Sequence, residues 1–326
     1  MSSDLLVIKG VVKRFAIKVG MVQKAYVHAL NDVNLTVGKG RTLSLVGESG
    51  CGKTTLGKAV LGLHSPDAGE IWFDGREIGR IGPRQRREIQ KDLQMIFQDP
   101  YASLNPRKKI GDILARPLKT YTAMDRAQRG ARIRETCDAV GIDPSYLTRY
   151  PHQFSGGQRQ RVAIARAVIL NPALVVADEP ISALDVSIQS QILNLMIDLQ
   201  RQLALTVLFI THDISVVKYI SDDVAVMYLG EIVERAEKRD LFDNPLHPYT
   251  RLLFKAVPDI SRPFLSEDAL IQGEIPNPTR LPGGCFFAPR CPMRIDACTA
   301  AHPALETKRP GHVVRCIRVD ASPSSP

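Results

Sequence analysis

The sequence predicts an α/β fold built on a parallel sheet that carries phosphate-binding turns, and three observations predict it. Gly47-Glu48-Ser49-Gly50-Cys51-Gly52-Lys53-Thr54 is a complete G-x-x-x-x-G-K-[ST] run set between an apolar strand pattern, Thr42 to Val46, and a helix-like run beginning near Lys53. Leu174-Val175-Val176-Ala177 is a short apolar run of the kind buried in a parallel sheet, and it ends in Asp178-Glu179-Pro180. Ser155-Gly156-Gly157-Gln158 opens a helix-like stretch from Arg159 to Leu170.

Each element carries its own chemistry. In the first, glycines let backbone N–H groups turn inward on phosphate oxygens while the following helix N-terminus adds its positive end. Lys53 then places a point charge on the β- and γ-phosphates, and Thr54 can hold Mg²⁺. Carboxylates at the C-terminal edge of a parallel strand face a ligand crevice. One can bind Mg²⁺ while its neighbour orients or deprotonates the attacking water, which makes Asp178 the expected metal residue and Glu179 the expected general base. Alone, Asp178-Glu179 would read as a solvated turn before proline; the P-loop beside it changes that reading. Ser155 is the expected N-cap, and Gly156 and Gly157 allow close backbone approach, so a second helix N-terminus suits an anion.

In this order the P-loop, the SGGQ turn and the apolar strand ending in Asp-Glu resemble an ATP-binding cassette (ABC) ATPase, over about Leu6 to Arg235. That resemblance implies nucleotide binding by Gly47 through Thr54 with Thr55, and by Ser155, Gly156, Gly157 and Gln158. Gln98, in Ile96-Phe97-Gln98-Asp99-Pro100, fits the glutamine that links Mg²⁺ and attacking water to the transmembrane interface. Ser182-Ala183-Leu184-Asp185 fits the loop that communicates between two subunits, with Asp185 among the nucleotide-binding residues. His212 follows a strand-like run, Thr206 to Thr211, and fits the histidine that senses the γ-phosphate; without the resemblance it would read as structural. The implied catalytic set is Lys53, Gln98, Glu179 and His212, with Mg²⁺ on Thr54, Gln98 and Asp178. Phe15 fits the aromatic that stacks on adenine, with Tyr26 as the second candidate and a buried core aromatic as the competing reading of either.

The family sandwiches ATP between the P-loop of one subunit and the SGGQ of another. With one copy of each motif and no internal repeat, this sequence therefore requires a second nucleotide-binding subunit, identical or homologous.

Composition agrees with a protein that crosses no membrane itself. At 326 residues and 44% hydrophobic the chain can bury a sizeable core in roughly two domains. No run approaches the ~18 apolar residues that span a bilayer. The start, Met1-Ser2-Ser3-Asp4-Leu5, lacks the basic and apolar stretches of a signal peptide. The formal charge of +9 is spread over Arg80 to Lys91, Arg126 to Arg134 and Arg290 to Arg318, which reads as solvated faces with modest attraction to an acidic membrane surface.

Along the chain, Leu6 to about Asp74 predicts an antiparallel β portion and the P-loop strand, and Gly75 to Pro83 a loop. Ile110 to about Gly141 turns helical, the helical subdomain (about 100–165) that the family sets against its transporter. Asp99 to Pro106 holds too many turn formers for a regular element and is the expected docking surface for coupling helices. Val186 to Leu203 reads as a long amphipathic helix and Val224 to Val233 as a strand pair around Gly230.

Residues 1–240 are thus the expected ATPase domain and 241–326 an extension. Prolines recur there from Pro245 to Pro310, among them Pro258 and Pro263, and argue against a regular core. Four of the six cysteines also fall there, Cys285, Cys291, Cys298 and Cys316, with five, six and seventeen residues intervening. Clustered thiols in a reducing compartment point to metal before disulfides, and this spacing leaves zinc and iron–sulfur both open. Cys51 and Cys137 read as small packing residues.

His247-Pro248-Tyr249-Thr250, Gly283-Gly284-Cys285-Phe286 and Arg290-Cys291-Pro292 resemble the C-terminal extension of oligopeptide and dipeptide importer ATPases. This second resemblance implies a 4Fe-4S cluster on the four tail cysteines. It also implies two transmembrane permeases, an extracytoplasmic solute-binding protein and a peripheral place on the cytoplasmic face of the inner membrane. The cargo, whether peptide, opine, nickel complex or sugar derivative, is set by other chains. The alternative, a soluble ABC ATPase acting on nucleic acid or ribosomes, fits less well: the interval from Gly47 to Ser155 holds no long coiled coil and the chain has one cassette. An iron–sulfur redox protein merely regulated by ATP is a further alternative.

Overall fold

The computed structural model describes residues 4–19, 23–256 and 273–319. In chain order the strands are β1 (Asp4–Val19), β2 (Gln23–Gly38), β3 (Thr42–Val46), β4 (Ala68–Phe73), β5 (Arg76–Glu77), β6 (Leu93–Ile96), β7 (Leu174–Asp178), β8 (Thr206–Ile210), β9 (Asp223–Tyr228), β10 (Glu231–Glu237), β11 (Glu306–Arg309) and β12 (His312–Val314). The helices are α1 (Lys53–Val60), α2 (Pro83–Ile89), α3 (Pro100–Ser103), α4 (Ile110–Tyr121), α5 (Arg126–Val140), α6 (Gly156–Val168), α7 (Val186–Leu203), α8 (Ile214–Ile220), α9 (Lys238–Asp243), α10 (Pro248–Lys255) and α11 (Ala297–Ala300). Among the described residues no helix is long and apolar enough to cross a membrane. The described residues fall into two compact units: a P-loop unit, 4–19, 23–37, 42–80, 211–256 and 273–319, and a helical unit, 38–41 and 81–210.

The P-loop unit contains the predicted antiparallel portion as a sheet in the order β2-β1-β4-β5. β1 pairs β4 from Leu6 opposite Phe73 to Val12 opposite Ala68, with an irregularity between Lys9 and Val12. Glycine is required there because a Cβ on Gly69 would lie 2.3 Å from the Gly10 carbonyl oxygen. In the same unit β3 runs parallel to β9, from Leu43 opposite Asp223 to Val46 opposite Val226. All five residues of β3 are buried, which suits its mostly apolar sequence and obliges the Ser44 hydroxyl to find a partner. Ser44 does so by pairing its hydroxyl with that of Ser221.

β9 turns at Leu229-Gly230 into β10, the strand pair predicted around Gly230. β10 then pairs antiparallel with β12, and β12 with β11. The proline-rich tail thus adds strands to the sheet and side chains to the core, contrary to the sequence expectation of no regular core. Tyr249, Phe286 and Phe287 share one buried cluster with Val46, Val224, Val226 and Tyr228. The prolines are compatible because of where they fall: Pro248 begins α10, where a missing N–H leaves nothing unpaired. Pro289 lies in the first turn of a 3₁₀ helix, Ala288–Arg290. Pro258, Pro263 and Met1-Ser2-Ser3 lie outside the described residues.

Glu234 secures this tail. Its fully buried carboxylate accepts from the Leu246 and His247 N–H groups at 2.6 and 3.0 Å and meets His312 Nε2 at 2.7 Å. The next residue in the chain of contacts, His247, caps α10 by accepting the Tyr249 N–H on Nδ1 at 3.1 Å.

In the helical unit, β7 lies between β6 and β8, both parallel to it, with Leu174 opposite Leu93 and Thr206. α4 and α5 fill the stretch predicted to be helical. Asp125 and Gln128 form a capping box at the start of α5, and Gly141 ends it at φ 65°. Cys137 is fully buried on α5, the packing role expected of it. Two expected loops carry short regular elements. β5 lies within Gly75 to Pro83, and α3 within Asp99 to Pro106, where the Asp99 carboxylate caps the Tyr101 N–H and Pro100 takes the first helical position. Turn formers here start a helical turn instead of excluding one.

Burial holds the His247 imidazole neutral, lowering its pKa from 6.5 to about 4. An unfolded chain protonates this residue first as pH falls, so stability drops between pH 6.5 and about 4, by on the order of 3 kcal/mol at the low end. His247→Asn keeps a capping acceptor but cannot titrate. Urea denaturation at pH 7 and pH 5 should show a smaller pH slope for the variant than for the parent.

Candidate nucleotide site

The P-loop owes its path to three left-handed glycines. Gly47, Gly50 and Gly52 sit at φ 154°, 80° and 110°, a region closed to most L side chains. Space excludes side chains as well: a Cβ on Gly47 would lie 2.1 Å from the Met227 carbonyl oxygen, and one on Gly52 2.3 Å from that of Ala29. At Gly50 the same position is open. Backbone bonds brace the loop from behind, where the Gly230 N–H donates to Cys51 O at 2.8 Å and the Asn31 N–H to Gly230 O at 2.7 Å.

Lys53, the first residue of α1, is 5% exposed, and its ammonium donates to Gly47 O at 2.7 Å and Glu48 O at 3.0 Å. It is thereby tied to the carbonyls of the loop itself. Thr54 and Thr55 follow on the same turn, half-buried. Cys51 is buried against Gly47, and burial pushes its thiol up against the opposing pull of Lys53.

Sequence reasoning missed two contributors from the tail. The Tyr249 hydroxyl accepts the Glu48 N–H at 3.0 Å, and Arg290 meets the Glu48 carboxylate with two bonds, Nη1 to Oε2 at 2.7 Å and Nη2 to Oε1 at 2.9 Å. Both lie in motifs that resemble importer ATPases, but nothing in their spelling points to the P-loop.

In the helical unit Asp178 ends β7, 3% exposed, and Glu179 follows at φ 45°. A positive φ at a non-glycine costs of order 1–3 kcal/mol and gathers at functional sites. The chain holds it there by bonds on both sides: Glu179 N–H donates to Ile210 O at 2.9 Å, and the Ser182 N–H and hydroxyl donate to Glu179 O at 3.3 and 3.1 Å. Gln98, just beyond β6, donates its amide to Glu179 Oε2 at 2.9 Å. The expected glutamine and the expected base therefore touch.

Ser155 caps α6 as expected, in a capping box with Gln158. Gly157 has an additional reason to be glycine, since its Cβ would lie 2.6 Å from Ile188 Cγ2 on α7. Arg159, 8% exposed, donates to Pro151 O at 2.7 Å and stacks 3.9 Å above the Tyr101 ring, tying α6 to the Asp99–Pro106 segment. Tyr101 is itself 62% exposed, and Asp185, exposed, caps α7 through its backbone.

His212 lies exposed just before α8, in the P-loop unit. Phe15 is half-buried, edge-on to His64 at 5.2 Å with Lys13 5.5 Å from its ring centre, while Tyr26 is half-exposed.

The four tail cysteines come together. Cys285, Cys291, Cys298 and Cys316 line one cavity, with Phe287, Ala288 and Ile317 as its apolar wall. Burial pushes the Cys285 thiol up to about 11 and raises those of Cys291 and Cys316. Among the described residues, no three His, Cys, Asp or Glu side chains are grouped to hold a single metal ion.

Residues 30–182 match the ABC transporter family and residues 233–298 match the family described as "Oligopeptide/dipeptide transporter, C-terminal region". The chain is 46% identical over 318 residues to the oligopeptide transport ATP-binding protein AppF of Bacillus subtilis (strain 168), covering 96% of each chain. The chain belongs to the ABC transporter ATP-binding family. This ABC ATPase is also 44% identical to the dipeptide transport ATP-binding protein DppF of Escherichia coli (strain K12), over 94% of its own length and 92% of that protein's. Among solved structures it resembles the post-hydrolysis dimer of the ATP-binding cassette MJ0796 bound to ADP and Pi, at 30% identity and a TM-score of 0.64, covering 72% of this chain and 99% of that one.

Gly157→Ala should force Ile188 aside and destabilise the α6–α7 contact by about 1–3 kcal/mol. Trimming the neighbour in the double variant Gly157→Ala, Ile188→Ala should recover the part of that loss due to the clash, as read by thermal denaturation of both variants and of Ile188→Ala alone.

Proposed function

We propose that this ABC ATPase hydrolyses ATP to power uptake of di- or oligopeptides through a membrane transporter, working as one of two nucleotide-binding subunits. The single observation that carries the ATP part is the P-loop geometry, three glycines at positive φ with a buried lysine bonded to the loop's own carbonyls. In this reading Lys53 and the loop N–H groups bind phosphates. Thr54 and Asp178 serve Mg²⁺, Glu179 acts as general base, and Gln98 orients it. Asp178 suits the metal because it is a nearly inaccessible carboxylate at a strand's C-terminal edge. Phe15 is the proposed adenine partner and His212 the proposed γ-phosphate sensor.

Ser155, Gly156, Gly157, Gln158 and Asp185 are proposed to complete the site of a companion subunit. Two permeases and a solute-binding protein are the proposed remaining partners, with this chain bound at the cytoplasmic face of the membrane. The peptide cargo rests on the likeness to AppF and DppF, whose names state their transport roles.

The tail cysteines are proposed to hold a 4Fe-4S cluster. Such a cluster takes four cysteine thiolates and is larger than one ion. Four thiols on one apolar-walled cavity supply that donor set. Purified under anaerobic conditions, the protein should carry roughly four iron atoms per chain with a broad visible absorption, both lost in Cys291→Ser. Colourless, iron-free protein would remove the cluster.

Two substitutions test the ATPase assignments. Glu179→Gln should retain ATP binding and lower turnover by about 10²–10⁴-fold, whereas parent-like hydrolysis would remove Glu179 as the base. Lys53→Ala should weaken ATP binding itself, measured by equilibrium titration, and an unchanged affinity would count against the cradle.

A further inference from the structure

One P-loop residue is gripped at nearly every polar group. Glu48 O accepts from Lys53 Nζ at 3.0 Å, Glu48 N–H donates to the Tyr249 hydroxyl at 3.0 Å, and both carboxylate oxygens accept from Arg290. Tyr249 and Arg290 stand 201 and 242 residues away in sequence, both in the tail. Neither is a casual surface contact. Tyr249 is fully buried, and the Arg290 side chain is 5% exposed against 22% for Glu48.

The two tail residues are themselves fixed. Tyr249 packs against Tyr228 at 4.8 Å and Phe287 at 5.3 Å between ring centres. Arg290 lies 5.8 Å from the Tyr228 ring centre and donates to its hydroxyl at 3.4 Å. A bidentate guanidinium–carboxylate pair fixes direction as well as distance, which a single ammonium would not.

Phosphate binding by such a loop depends on where its N–H groups and its lysine point. The residue that Arg290 and Tyr249 hold is the one whose carbonyl, with that of Gly47, holds Lys53. We propose that Arg290, assisted by Tyr249, is a positioning residue for the P-loop: by fixing Glu48 the tail sets the orientation of the phosphate cradle and hence the affinity for ATP. This inference rests on the ATP-site reading above. It makes the C-terminal region part of the nucleotide-binding apparatus of its own chain, through the loop that runs from Cys285 to Cys291.

The test uses the full chain and ATP. Arg290→Met should weaken ATP binding about 10-fold and raise KM by a similar factor, while kcat at saturating ATP changes by less than about twofold. Arg290→Lys, keeping the charge but losing the fork, should fall between. Tyr249→Phe removes only the hydroxyl that receives the Glu48 N–H and should weaken binding several-fold, so it covers the case in which Arg290→Met fails to fold. In Glu48→Gln combined with Arg290→Met the losses should be less than additive, as for two ends of one contact. Exposed Arg294→Met controls for tail charge and should leave ATP affinity unchanged. A parent protein that binds no ATP would sink the nucleotide-site reading. A parent that binds ATP beside folded Arg290→Met and Tyr249→Phe variants of unchanged affinity, or a loss confined to kcat, would overturn this inference alone.

Discussion

The direction of a few backbone N–H groups between Gly47 and Lys53 is the constraint on which the proposed nucleotide chemistry depends. Glycine makes that path possible but does not fix it, because a residue without a side chain is free to take many others. The path is fixed from outside by the Met227 and Ala29 carbonyls, which leave no room at Gly47 and Gly52, and by the Gly230 N–H on Cys51 O. The loop is thus a flexible sequence held in a rigid mould, and the mould is made largely of the β9–β10 turn and β2.

The tail belongs to that mould. Buried Glu234 on β10 gathers the start of α10 and His312 of β12, and this places Tyr249 in the core beside Tyr228 and Phe287. Removing one partner from a buried charged arrangement of this kind exposes the cost of the group left behind, several kcal/mol by analogy with buried ion pairs. The tail residues that touch Glu48 therefore sit on an ordered support. Such support distinguishes a fixed contact from a surface ion pair, which contributes little on its own.

In the helical unit the carboxylate proposed as general base shows a different device. Glu179 stands immediately after a buried parallel strand in a left-handed conformation that its side chain disfavours, and bonds from Ser182 and to Ile210 hold it there. Gln98 reaches it from the neighbouring strand end. The positive φ is confined to Glu179, while the flanking Asp178 ends the strand nearly out of solvent.

The sequence by itself determined the elements whose signals are local. β3, α7, the Ser155 cap, the strand pair about Gly230 and the order of motifs all follow from periodicity, glycine and capping chemistry over a few residues, and family membership followed from that order. Short elements among turn formers, β5 and α3, were hidden because the same residues that break a helix also begin one. Only tertiary structure decided that the proline-rich tail completes the P-loop strand's sheet, that Gly157 is small because of Ile188, and that Arg290 and Tyr249 hold Glu48. Those are contacts between residues up to 242 positions apart, and such contacts leave no period or spacing in a single chain to be read. Local chemistry is written in the sequence, whereas the partner that satisfies it is chosen by packing.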